Sequence, residues 1–144
     1  MGIDTFRILI ADRNRHVREF LRRELISEGY RVDMAKDDRE VLRRINLEPP
    51  DLLILDLEIP YAGGLAILEV LQGRRPPVPV VIHTFLTEYA NHPAIQGQAS
   101  FVEKRGNTDC LKAAVLEMLQ KYYPDRFRQS ADGASPGTER KNVK

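Results

Sequence analysis

The chain has 144 residues, 42% apolar and 30% charged, enough for one globular domain with a full core and a tail but cramped for two. A formal net charge of +1 gives no bulk attraction to nucleic acid or an anionic membrane, and one cysteine, Cys110, excludes an internal disulfide and a cysteine zinc site. The N-terminus lacks the apolar stretch of a secretory signal and no run approaches the ~18 apolar residues of a membrane span, so a cytoplasmic protein is expected.

Residues 6–12, "FRILIAD", are a short apolar run that stops at a carboxylate, which reads as a buried strand. Val17, Phe20, Leu21 and Leu25 then share one helical stripe ahead of Gly29. Arg13, Arg15, Arg18, Arg22 and Arg23 crowd the same region and read as the solvated face of that helix. "YRVDMA" points Tyr30, Val32 and Met34 inward as a second strand. Val41, Leu42 and Ile45 form a helix that starts at the capping-type Asp37 and Asp38 and stops at Pro49 and Pro50. "DLLILD", four apolar residues between Asp51 and Asp56, is the strongest buried strand, and Gly63 and Gly64 lead into the helical "LAILEVL". "VVIHT" is the fourth strand, followed by a polar, poorly patterned stretch from Leu86 to Gln98 broken by Pro93. "SFVEK" is the fifth. The last helix, residues 109–122, carries Leu111, Ala114, Val115, Met118, Leu119 and Tyr122 at helical spacing, capped by Thr108 or Asn107.

Five apolar strands alternating with about five helical segments imply an α/β fold, a doubly wound five-stranded parallel sheet in a single domain. The domain is expected over residues 1–125. Residues 126–144 are expected to be a flexible tail, because "RQSADGASPGTERKNVK" buries too little to offset its ordering entropy. With so short a segment after residue 125, no output domain is expected to follow, and the domain is expected to act as a stand-alone module.

In such a sheet a site lies outside the carboxyl ends of the strands. Asp12, Asp56, Thr84 and Lys104 all fall there. A carboxylate set among a second carboxylate, a hydroxyl and a lysine suits attack by Asp56 on a phosphoryl group, with Lys104 offsetting charge and Thr84 donating a hydrogen bond. His83 precedes Thr84, and strand alternation turns it the other way, towards packing. His16 and His92 have no partner at metal-ligand spacing, and Cys110 reads as a small apolar residue.

The segment "DLLILDLEIPYAGGLAIL" resembles the phosphoacceptor stretch of response-regulator receiver domains, with Asp56 the acceptor, a proline four residues on and a glycine eight residues on. "PVVIHT" is similar to the fourth strand of that family with its threonine, and "SFVEK" to the fifth with its switch aromatic, Phe101, and its lysine. The resemblance covers residues 6 to about 123. It implies a flavodoxin-like, CheY-like (βα)5 fold that accepts a phosphoryl group from a histidine kinase or phosphotransfer protein, with Mg2+ as cofactor. Asp12, Asp56 and Glu58 would hold the metal, the last through its backbone carbonyl, and Thr84 and Phe101 would relay the change to a downstream protein. The implied protein is a monomer or weak dimer with no enzymatic activity beyond slow self-phosphorylation and dephosphorylation.

Four departures from that pattern bear on function. Arg13 stands where the family carries a second acid, and a unit positive charge at about 6 Å and an effective dielectric of about 20 repels a divalent ion by roughly 5 kcal/mol, as an upper figure. Turned inward, Arg13 would pair with Asp12 or Asp56 in the metal's place; the Glu58 side chain would be a substitute ligand. Phe85 follows Thr84 where a small residue is usual and would obstruct the pocket. Lys104 is followed by Arg105 rather than proline, and the Thr84-to-Lys104 interval is short, which puts a helix there in doubt. The alternative is therefore a phosphate-independent interaction module locked by Arg13 and Phe85. A phosphatase of the haloacid-dehalogenase type also uses an aspartyl nucleophile, but "DLEIP" supplies only Glu58 of the further residues it needs.

Overall fold

A computed structural model describes residues 6–105 and 107–127. Strands β1 (Arg7–Ala11), β2 (Arg31–Ala35), β3 (Leu52–Leu55), β4 (Val80–Thr84) and β5 (Ala99–Glu103) pair in parallel, in the order β2-β1-β3-β4-β5. Alternation along them builds two cores. Ile8, Ile10, Leu52, Ile54 and Val81 pack with Leu21 and Leu25 of helix α1 (Arg15–Ser27) and with Leu111, Val115 and Leu119 of α4 (Asp109–Tyr122). Leu9, Ala11, Leu53, Leu55, Val80 and Ile82 face the opposite way, onto Val41 and Ile45 of α2 (Asp38–Leu47) and Ile67, Leu68 and Leu71 of α3 (Gly64–Leu71). Burial on both faces is why these strands read as unbroken apolar runs.

The helix starts follow local chemistry. The Asn14 side chain accepts from the His16 and Val17 N–H groups at the head of α1, and Asp37 accepts from Glu40 N–H at 2.9 Å at the head of α2. At α4 the residue at the cap is Thr108, yet Asn107 supplies the side-chain acceptor, to Asp109 N–H at 3.0 Å. A Cβ on Gly64 would lie 2.8 Å from the backbone Cα of Leu57, so glycine alone lets α3 start this close to the end of β3.

Three expectations need correction. Between β4 and β5 there is no α-helix; the connection holds one 3-10 turn, Thr87–Tyr89, and a series of tight turns. Pro93 and Gly97, the latter at φ 81°, interrupt any helical register, yet Ile95 is fully buried and Leu86 and Tyr89 pack on the sheet. Phe20 is not on the inward stripe of α1 but 39% exposed, leaving Val17, Leu21 and Leu25 to make the contact. Packing also runs past residue 125: residues 124–127 form a further helical turn, Arg126 pairs with Asp51 at 2.7 Å, and Phe127 stacks on Phe6 at 5.2 Å. The rest of the expected tail, 128–144, lies outside the described residues. Among those described, no helix is long and apolar enough to cross a membrane.

Candidate functional site

The sheet order places β1 between β2 and β3, so connections leave β1 and β3 towards opposite faces and a crevice opens above their carboxyl ends. Backbone hydrogen bonds carry the pairing one residue beyond the strands. Asp12 N–H donates to Ala35 O, Asp56 N–H to Ala11 O and Lys104 N–H to Thr84 O, which fixes three site residues on the rigid sheet. Asp12 and Asp56 are 2% and 1% exposed.

Lys104 joins them. Its Nζ lies 2.8 Å from Asp12 Oδ2 and 3.5 Å from Asp56 Oδ2. Asp12 Oδ1 accepts from Asn14 N–H at 2.8 Å, and Arg18 donates to the Asp12 carbonyl at 2.7 Å, so the start of α1 is folded back onto the site. Asp56 Oδ1 accepts from Glu58 N–H at 3.0 Å, but Asp56 Oδ2 is buried and accepts no hydrogen bond, the ammonium standing beyond bonding geometry. Two carboxylates against one ammonium, with an acceptor left open, is an arrangement whose charges are attractive yet incompletely satisfied. Thr84 is fully buried, and its Oγ1 accepts from Leu86 N–H at 3.2 Å, closing the turn after β4.

Arg13 pairs with neither Asp12 nor Asp56. Its Nη2 lies 3.2 Å from Glu58 Oε2, and its side chain is half exposed. The β1–α1 and β3–α3 loops both rise from the crevice, and the two side chains meet across it. The Glu58 carboxylate is thereby engaged by a guanidinium and is not a free substitute ligand. Among the described residues, no three histidine, cysteine or carboxylate side chains are grouped to hold a metal ion. The Asp12, Asp56 and Glu58 side chains thus meet two organic cations, and as they stand only Asp56 Oδ2 is left open to a divalent ion.

Phe85 also departs from expectation. Its ring is 64% exposed and stands 5.3 Å from Lys104 Nζ, outside the acid pocket, because the chain turns as β4 ends and strand alternation no longer directs the side chain. Phe101 is half-buried against the α2–α3 core, on the face opposite Val102. The described residues have one cis peptide, Arg75–Pro76, so the link from Lys104 to Arg105 is trans.

His83 faces the α4 side, as alternation implies, opposite Val102 in register, and lines a groove of about 440 Å³ with Cys110, Leu111 and Ala114. Its Nδ1 is buried without a hydrogen-bond partner. Desolvation, reinforced by the nearby Lys104 charge, lowers its pKa to about 4. Cys110 is exposed rather than packed, being at the second position of α4. Sequence reading did not find the Arg13–Glu58 pair, although both follow site carboxylates on neighbouring strands. Nor did it find Asp38, whose Oδ2 accepts from Ala62 N–H at 3.0 Å and holds the β3–α3 loop down.

A family model described as "Response regulator receiver domain" matches residues 8–116. The response regulator MprA of Mycobacterium tuberculosis is 41% identical over 126 residues, 86% of this chain and 55% of that protein. MprA of Mycolicibacterium vanbaalenii is 32% identical over 121 residues, 83% of this chain and 52% of that one. The chain therefore spans about half the length of the curated relatives it matches. The response regulator TrrA of Thermotoga maritima, solved in complex with Mg2+–BeF, superposes with a TM-score of 0.74 at 30% identity, covering 78% of this chain and 98% of that one. These similarities, with the parallel sheet and the acidic crevice at its carboxyl edge, establish that the chain belongs to the response regulator receiver domain family of two-component systems.

Proposed function

We propose that Asp56 accepts a phosphoryl group from the phosphohistidine of a histidine kinase or phosphotransfer protein. The observation that carries this is Asp56 Oδ2, a buried carboxylate oxygen with no hydrogen-bond partner, beside a lysine 3.5 Å away. Attack by that oxygen forms an O–P bond as the N–P bond of the phosphohistidine breaks, and the departing imidazole takes up a proton. Lys104 offsets charge on the phosphoryl oxygens, and the Thr84 hydroxyl, which accepts from Leu86 N–H, keeps its own proton to donate to them. Thr84 and Phe101 then pass the change to a downstream protein in the cytoplasm. The only turnover this chemistry calls for is slow self-phosphorylation and hydrolysis.

A second reading has its own support. The Arg13–Glu58 bridge and the two contacts of Lys104 offset all but one of the site's negative charges before any phosphoryl group arrives, which suits a phosphate-independent interaction module. Intact-mass analysis after incubation with a phosphorylated histidine kinase separates the two. The expected outcome is a gain of one phosphoryl group that disappears in Asp56→Asn. No gain, under conditions that label an ordinary receiver, selects the second reading.

A further inference from the structure

Side chains of the chain itself join the two loops that flank the acid pocket. Arg13, after β1, meets Glu58, after β3, at 3.2 Å, and Lys104 from the end of β5 reaches Asp12 at 2.8 Å and Asp56 at 3.5 Å. A hard divalent ion in the same place would tie the same loops and offset the same charge, and it needs oxygens free to turn towards it. All but one of those side-chain oxygens are engaged, Asp56 Oδ2 alone accepting no hydrogen bond and facing the ammonium at 3.5 Å. Asp12 Oδ1 holds Asn14 N–H, Asp12 Oδ2 faces the ammonium, Asp56 Oδ1 holds Glu58 N–H, and the Glu58 carboxylate faces the guanidinium. We infer that Arg13 and Lys104 are the resident cations of this receiver pocket and stand in for a divalent ion, so that the pocket is tied shut without metal.

Charge and exposure support the assignment. Asp12, Asp56 and Glu58 against Arg13 and Lys104 leave one formal negative charge in excess, whereas Arg13→Asp would raise that excess to three and add an oxygen ligand. The Arg13–Glu58 bridge has side chains 50% and 26% exposed, and exposed ion pairs add little to fold stability. Its loss should therefore alter the cation preference of the pocket without unfolding the domain.

Calorimetric titration of the full chain with Mg2+ tests this, with Arg13→Gln and Arg13→Asp beside the wild type. The wild type should bind weakly, Arg13→Gln more tightly, and Arg13→Asp tightest, roughly tenfold or more above the wild type. Thermal melts give a second readout: Mg2+ should raise the midpoint of Arg13→Asp and leave the wild type where it was. In an Arg13→Asp background, Asp56→Asn should abolish the gained affinity. Equal Mg2+ affinities in wild type and Arg13→Asp would overturn the inference, as would a gain that survives Asp56→Asn. No phosphoryl transfer enters these measurements, so a failure of Asp56 to accept phosphate is read separately, by mass.

Discussion

Two carboxylates bracket β3, and they are used in opposite ways. Asp51, before the strand, is saturated: Oδ2 accepts from Arg7 N–H at 2.7 Å, Oδ1 from Arg126 at 2.7 Å, and its carbonyl from the Tyr123 hydroxyl at 2.7 Å. Burial pushes the Tyr123 phenol up to about 12, so that donor stays protonated at any ordinary pH. Asp56, after the strand, is more deeply buried yet has one oxygen without a hydrogen bond. A fully bonded carboxylate serves the fold, whereas one held half-satisfied keeps an oxygen open, as the proposed phosphoacceptor role requires. The difference arises from what lies at each end of the sheet. Residues after α4 bring Arg126 and Tyr123 to Asp51, while at the other edge a single ammonium serves two acids.

The sharpest way to break this contrast is to remove the shared ammonium. Lys104→Met should cost about 3–5 kcal/mol in urea unfolding at neutral pH, because Asp12 and Asp56 would remain buried with no cation between them. Adding Asp56→Asn should restore part of that loss; a double variant as unstable as the single would mean that the damage came from packing.

His83 extends the comparison to a buried base with an open nitrogen. Its pKa falls from an ordinary 6.5 to about 4 on folding, so between those values the unfolded chain binds more protons and stability rises with pH. That contribution is complete above about pH 6.5 and is lost as pH falls towards 4, up to about 3 kcal/mol in all. His83→Leu should flatten the stability profile across that window. An unchanged profile would assign the acid sensitivity to the carboxylates.

The smallest effect compares the two acids directly. Asp51→Ala should lower stability by about 2 kcal/mol through loss of charge-assisted hydrogen bonds. Asp56→Asn should lower it not at all, since it removes one of two like charges beside a single lysine. Paired denaturation curves check the signs; a loss of stability in Asp56→Asn would mean that its carboxylate supports the fold as Asp51 does.

Legibility in the sequence followed the range of the forces involved. The strands were readable because each is buried on both faces, and the site because parallel strands end their side chains at one edge, so Asp12, Asp56, Thr84 and Lys104 could be grouped without knowing any contact. What lay beyond reading depended on choices among partners. Arg13 had three carboxylates within reach, and nothing in spacing says that Glu58, also on a loop, wins over two acids already facing Lys104. Phe85 lay just past the end of β4, where alternation stops predicting direction. Phe20 fitted the helical period, but α1 needed only the narrower stripe of Val17, Leu21 and Leu25. The missing helix was half visible in the short interval and in Pro93; that Ile95 would still plug the sheet was not.

The segment between β4 and β5 is fastened by separate turns: Tyr89 N–H to Leu86 O, His92 N–H to Tyr89 O, Ile95 N–H to His92 O and Gln98 N–H to Ile95 O. A helix in that place would open as one cooperative unit, its amides exchanging with solvent together. Here each turn can open with little cost to the next, so amide exchange should be graded along the segment, slowest beside Ile95 and fastest where the turns carry no buried side chain. On this stretch, motion should be granular rather than concerted.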